Sequence, residues 1–288
     1  MENEKENEVI EFPILFNVFR VFVIPSGGQQ IAQFDSFETK EDILNSHFFS
    51  LSNNPKNKIS RRGILFSSPN NNTSSGIFKF QLGKEGKKTL HKEGDIKPET
   101  YTAPDLKLID IIYYKKRQIL LIEKSSSYKT LEASNLMTNY FQSRLRSFNL
   151  TFKIDTIPEV TDFWARVNDA KEIYELELDI NQLNINEGND HFREILMAIK
   201  QDVNDDSFNL KLKNAIGKLS VNNDKIKKVI EYISEVGGKF KMKSKHEIGQ
   251  KKKDTFDSTD NIKKVTIYKK DNSLGDDDIL TGINNIAK

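Results

Sequence analysis

A mixed α/β or α+β fold, with a central mixed sheet and interleaved amphipathic helices, is what this sequence predicts, on three observations. Short runs rich in Phe, Val, Ile and Tyr alternate with stretches that hold a 3.6-residue apolar period. The 288 residues include 19 Phe and 8 Tyr within a hydrophobic fraction of 36%, enough bulk for a sizeable core. No internal repeat breaks the interleaving. A soft boundary falls near Pro158. It separates a strand-rich part over 12–157, with a hairpin–helix core, from an alternating part over 158–270; a single domain is the alternative division.

Taken in order, 1–11 is an acidic leader, read as disordered, without the basic-then-apolar order of a signal peptide. Phe16 to Ile24 is a buried strand ended by Pro25 and two glycines. A short helix capped by Asp35 or Ser36 follows, then strands at Gly63–Ser67 and Gly76–Leu82. Gly83 to Pro104 is polar, with two Pro and a GKEGKKT segment. The central stretch, Leu106 to Phe148, reads strand, basic turn, strand, Ser-rich break and long helix. Thr151 to Ile157 alternates as a strand, Thr161 caps a short helix, and Ile173 to Ile180 alternates again. Asn189 or Asp190 opens a helix with apolar positions from Phe192 to Val203. Leu210 to Val221 reads as a strand pair, and Asp224 caps a second good helix stopped by Gly237 and Gly238. Lys239–Lys243 and Lys264–Lys269 alternate lysine with apolar residues and are expected at sheet edges. Residues 244–262 read as a charged loop and 271–288 as a flexible tail with one helical turn.

The chain has no cysteine, which removes disulfides, thiolate metal sites and a Cys nucleophile and fits a reducing cytoplasm. No apolar run approaches the ~20 residues of a bilayer span, so no membrane partner is expected. A net charge of +2 conceals an asymmetry: 14 acids against 4 bases over 155–206, and 17 Lys against 7 acids over 211–270. The basic block, through Lys225, Lys227, Lys228, Lys239, Lys241, Lys243, Lys251, Lys252 and Lys253, suits a phosphate backbone. It contains no Arg, so base-specific bidentate readout is not expected. The bland alternative is two solvated faces that attract each other or a partner subunit.

Two glycine signals carry nothing. Gly27-Gly28 lacks the GxGxxG spacing, and GKEGKKT has Gln81 where a phosphate loop needs its first Gly and Lys88 where it needs Ser or Thr. Glu175, Glu177 and Asp179 share one strand face about 6.8 Å apart, a carboxylate row more often solvated than metal-binding. His47, His91, His191 and His246 form no HxH or HExxH spacing, and no GxSxG elbow supports a Ser-His-Asp triad. Phe163 and Trp164 read as core.

The central stretch carries the chemistry. Asp110 interrupts its first apolar strand and Glu123 ends its second. An acid on each strand of a hairpin, then the Tyr128–Phe148 helix and the Thr151–Ile157 strand, resembles the core of the PD-(D/E)xK nuclease family over about fifty residues. The resemblance implies that Asp110 and Glu123 hold a divalent metal, Mg²⁺ or Mn²⁺, for phosphodiester hydrolysis, a task for hard oxygen ligands. It also implies a Lys two residues after the Glu. Here Ser125 stands there, Lys124 points to the opposite strand face, and Lys129 is the candidate to reach back from the helix start. No Pro precedes Asp110; Ile109 does. The competing reading is an ordinary hairpin whose Asp110 and Glu123 are solvated or salt-bridged to Lys107, Lys115 or Lys116.

The expected function is a cytoplasmic protein that engages nucleic acid through its basic C-terminal surface, with a degenerate metal-dependent nuclease centre of microbial defence type. The alternative is a non-enzymatic interaction subunit whose acidic and basic blocks dock a protein partner or a second copy. An enzyme acting on a small molecule through Glu175 to Asp179 comes third.

Overall fold

In chain order the computed structural model runs β1 (Glu11–Pro25), α1 (Lys40–Ser52), β2 (Lys56–Lys58), β3 (Gly63–Ser67), β4 (Ile77–Lys92), β5 (Glu99–Tyr114), β6 (Ile119–Glu123) and α2 (Thr130–Leu145). It continues with β7 (Leu150–Thr156), α3 (Val160–Asp169), β8 (Glu172–Asn181), β9 (Ser207–Lys213), α4 (Asp224–Val236), β10 (Gly238–Lys245), β11 (Asp254–Asp257), β12 (Lys264–Lys270) and α5 (Asp276–Ile286). The structure describes residues 11–25, 40–60, 63–68, 75–92, 99–126, 128–181, 207–247, 249–270 and 273–286. The class is α+β, with two antiparallel sheets and five helices among these residues. Two units divide the chain: Met1–Asn17, Asp42–Tyr140 and Lys264–Lys288 form the first, Val18–Glu41 and Phe141–Lys263 the second.

In the first unit the strand order is β12-β1-β6-β5-β4-β3-β2. Residues alternate between the two faces of a strand, so the β4/β5 register decides what each face holds. Phe78, Phe80 and Leu82 stand opposite Tyr113, Ile111 and Ile109. They form an apolar face on which α1 lies, with Phe48 stacked on Tyr113 at 3.8 Å between ring centroids. Each such buried aromatic stabilises by roughly 1.5–3 kcal/mol relative to exposure. The opposite face carries Lys79 against Ile112 and Gln81 against Asp110. Helix α5 covers part of this face. Its Ile279 and Ile283 are buried, and Gly282 comes so close to Ile267 and Val265 that a Cβ there would crowd both.

In the second unit the later half of β1 pairs with β7, Phe19 opposite Thr156. A separate sheet has the order β11-β10-β8-β9. Its inner face, Leu176, Leu178, Ile180, Phe240, Met242 and Phe256, is buried together with Phe163 and Val167 of α3 and Ile230 and Ile233 of α4. Phe163 meets Phe240 edge-to-face at 4.8 Å, so it is core as expected, and Trp164 packs partly buried beside it. The turn from α4 into β10 needs two glycines. Gly237 and Gly238 have φ of +105° and +134°, and a Cβ on Gly238 would collide with the Asp179 carbonyl.

The polar residues 83–92 and 99–104 are strand, because β4 and β5 keep pairing out to Lys92 and Glu99 once their apolar alternation has ended. Several expectations are corrected. Lys239–Lys243 is not an edge strand: β10 lies between β11 and β8. The loop 244–262 contains β11, and the expected tail carries the 11 residues of α5, whose buried isoleucines are four apart. The second strand of the expected pair over 210–221 reduces to a single bridge between Lys218 and Ile173. The caps also shift, with Glu159 accepting from the Thr161 N–H and Asn223 from the Ile226 N–H. The helix expected after Asn189 lies outside the described residues, as do the cap of α1 and the leader before Glu11.

Candidate functional site

Asp110 lies one step beyond the last β5–β6 pair, Ile111 with Ile122, and therefore meets Glu123 across the hairpin. Its backbone N–H donates to Glu123 Oε2 at 2.7 Å. On the β4 side, Gln81 Nε2 donates to Asp110 Oδ1 at 2.9 Å. The Lys269 ammonium, from β12, reaches Asp110 Oδ2 at 3.4 Å, with the two side chains only 20% and 12% exposed. Two acids and one ammonium, from three strands, thus converge.

The strands explain the placement. β5 buries Ile109, Ile111 and Tyr113 on the apolar face, which sends Asp110 to the other. A buried carboxylate there needs partners, and Gln81 and Lys269 supply them. Glu123 is half-buried. Burial raises its pKa and the Asp110 charge adds to the rise, while the Asp110 N–H and the Lys269 ammonium pull it down; the net shift is upward.

A cleft of about 210 Å³ opens beside this group, lined by Gln81, Asp110, Lys269, Lys79, Ser67 and Ser273 among others. Glu123 adjoins it through Asp110 and does not line it. Lys79 is already engaged: its ammonium donates to Asp276 Oδ1 at 2.9 Å and to the Leu274 carbonyl at 3.1 Å. Lys269 is therefore the cation that bears on the two acids. Lys129 is exposed at the start of α2, where its carbonyl accepts from Glu132 and Ala133. Lys124 is exposed, and its N–H donates to the Leu15 carbonyl.

Asp110 and Glu123 fit a divalent cation in kind, offering hard oxygens at opposed positions on adjacent strands. Mg²⁺ takes one or two protein carboxylates and completes its shell with water and phosphate. No cluster of three or more His, Asp or Glu that could hold a metal occurs among the described residues, so among these Asp110 and Glu123 would be the carboxylate ligands.

The other sequence candidates lie in the second unit. Glu175, Glu177 and Asp179 stand between two lysine strands, opposite Lys243, Lys241 and Lys239 of β10 on one side and Lys213, Lys211 and Asn209 of β9 on the other. Glu175 accepts from Lys211 and Lys243, both at 3.1 Å; Glu177 pairs with Lys211 at 2.7 Å, and Asp257 with Lys241 at 2.8 Å. Glu175 and Glu177 are thus paired with protein ammoniums, and two lysines of the expected phosphate stripe, Lys243 and Lys241, are held in ion pairs on this sheet face. Lys225, Lys227 and Lys228 lie on the first turns of α4, and Lys251, Lys252 and Lys253 are exposed just before β11. His246 sits between Ser244 Oγ at 3.3 Å and Asp169 Oδ2 at 3.0 Å, in the order of a Ser-His-Asp triad. Ser244 is only 2% exposed, so no substrate carbonyl reaches it; the row braces the β10 bulge at Lys243/Ser244.

Among the described residues no helix is long and apolar enough to cross a membrane. No curated protein and no solved structure matches the chain. Residues 57–285, which contain Gln81, Asp110, Glu123 and Lys269, match one family described as a domain of unknown function, DUF4747, and the chain belongs to that family.

Proposed function

We propose that the chain is a metal-dependent nuclease of the PD-(D/E)xK kind, acting on nucleic acid in the cytoplasm in a microbial defence role. Asp110 and Glu123 are its metal ligands, and Lys269 is the lysine that the sequence lacks at Ser125. What supports the reading is the meeting of Asp110, Glu123 and the Lys269 ammonium beside one cleft, since a hairpin with two merely solvated acids needs no such convergence. The lack of cysteine is compatible with a reducing compartment.

A Mg²⁺ or Mn²⁺ held by Asp110 and Glu123 would supply Lewis acidity toward a phosphate oxygen. Gln81 orients the Asp110 carboxylate by donating to its Oδ1. Lys269 holds the other oxygen and places positive charge on the cleft wall, where negative charge develops as a phosphodiester is attacked. Ser67 and Ser273 line the same cleft; their hydroxyls donate to the Ser52 and Lys270 carbonyls and keep lone pairs that accept from water.

Incubation of labelled single- and double-stranded DNA and RNA with Mg²⁺ or Mn²⁺ tests this. Asp110→Ala, Glu123→Ala and Lys269→Ala are each expected to lower cleavage by about 10²-fold or more. Lys129→Ala is expected to leave it unchanged. Cleavage that persists in both acid variants, or in excess chelator, would sink the reading. Loss in Lys129→Ala with activity kept in Lys269→Ala would move the lysine role back to the helix start.

A further inference from the structure

One end of the second unit's sheet gathers lysines that the acid row does not neutralise. Lys171, Lys213, Lys218, Lys251 and Lys252 are exposed, and among the described residues none lies within ion-pair distance of a carboxylate. Their proximity follows from the backbone. The Lys171 N–H donates to the Lys245 carbonyl at 2.9 Å, Lys218 bridges to Ile173, and Lys213 stands opposite Glu175 at the end of β9.

Tyr174 is the hub. Lys253 Nζ lies 3.8 Å from the centre of its ring and Lys245 Nζ 5.2 Å, while its hydroxyl donates to Glu172 Oε2 at 2.6 Å. Gly217 packs against the same ring, where a Cβ would lie 3.0 Å from Cζ. This fixes the turn that presents Ile216, 66% exposed, between Lys213 and Lys218. Asn214 Oδ1 clamps the turn by accepting from the Ile216 and Lys218 N–H groups at 3.1 and 3.0 Å. The acids at this end are mostly engaged: Glu172 with Lys245 and Tyr174, and Asp169 with His246, which Asp254 also approaches. Glu247 is the exposed exception.

We propose that this end of the unit, centred on Lys171, Lys213, Lys218, Lys251 and Lys252, binds the phosphate backbone of nucleic acid. The partner is a regularly spaced polyanion because the cations are spread across three chain segments and not gathered into one pocket. Contact is sequence-independent: lysines act as point charges, Arg166 on the preceding helix lies over the Phe256 ring at 5.6 Å, and the Tyr174 ring is covered by Lys253 and Gly217, so it offers no face for a base. The proposal shares with the preceding section the premise that the substrate is nucleic acid, but it rests on other residues.

Two triple variants with equal change of charge separate this surface from the rest of the basic block. Lys218→Gln/Lys251→Gln/Lys252→Gln removes part of the free cluster; Lys239→Gln/Lys241→Gln/Lys243→Gln removes the β10 row. Binding to labelled single-stranded and duplex oligonucleotides is followed by fluorescence anisotropy across a salt series, in chelator so that no cleavage occurs. The cluster variant is expected to bind about tenfold or more weakly, with the slope of log K against log salt reduced by about 2–3, and the β10 variant to stay within about threefold of the parent. The reverse order of the two variants overturns the proposal. So does parent binding that is independent of salt, or preferential binding to anionic phosphatidylserine vesicles. Asp110→Ala keeps binding while losing cleavage if both proposals hold; cleavage lost with binding intact in the cluster variant would count against this surface alone.

Discussion

Burial of Glu123 beside the Asp110 carboxylate raises its pKa against two opposing influences, the Asp110 N–H and the Lys269 ammonium. An acid whose folded pKa lies above its unfolded value costs stability once ionised, at pH above the folded value, and the cost fades as pH falls through it. Glu123→Gln keeps an oxygen to accept from Asp110 N–H and removes the charge. It is expected to raise the melting temperature at pH 8, by up to about 3 °C, with the gain shrinking toward pH 4. A melt series across that range checks this; a lower melting temperature at pH 8 would show that the hydrogen bond to the charged form outweighs burial. Asp110 and Glu123 were legible in the sequence because each interrupts an apolar run that has no other use for an acid. Lys269 and Gln81 were not. Lys269 sits in an alternating strand that reads as an ordinary lysine-protected edge, and only the fold brings it to Asp110.

At the scale of elements, β8 shows how partner strands decide what a charged row does. Glu177 is pulled below its ordinary pKa by hydrogen bonds from Lys211 and Asn209. At Glu175 and Asp257 burial acts upward, and bonds from the facing lysines, joined at Asp257 by Thr259, outweigh it, so both are also lowered. Acids with depressed folded pKa stabilise above their unfolded values and lose that contribution as pH falls through the folded ones. Lys211 and Lys241, raised by the same contacts, lose theirs only as pH rises past their folded values. The row is thus intact across neutral pH. Melting temperature is expected to drop on acidification from about pH 5 to pH 3, and less so in Glu175→Gln/Glu177→Gln. An equal drop in that variant would show the row to be thermodynamically idle. The alternation of β8 and β10 was written in the sequence, but their adjacency was not, since period-two patterning names a strand's faces and not its neighbours. The same limit hid the far ends of β4 and β5, whose pairing continues where the apolar pattern stops.

For the whole molecule, a net +2 with 30% charged residues reflects 44 bases against 42 acids, and part of that opposition is met inside one sheet, where Glu175, Glu177 and Asp257 pair with Lys211, Lys241 and Lys243. The α+β class followed from the interleaved periods. The division into units did not, because each unit is assembled from segments distant in sequence. β1 is the clearest case: its first half lies between β12 and β6, and its second half pairs with β7. Removing residues 1–25 is expected to abolish cooperative unfolding, and a peptide spanning Glu11–Pro25 added in trans is expected to restore it. A truncated chain with a sharp, unchanged transition would refute this.

That arrangement also sets a clock. β1 leaves the ribosome about 240 residues before β12 is complete, roughly 12–50 s at about 5–20 residues per second. During that interval Phe12, Ile14 and Phe16 belong to a half-strand whose β12 edge is unfilled, a template for pairing with another nascent chain. The order of synthesis therefore leaves the first half of β1 open to mispairing until the last strand made covers it.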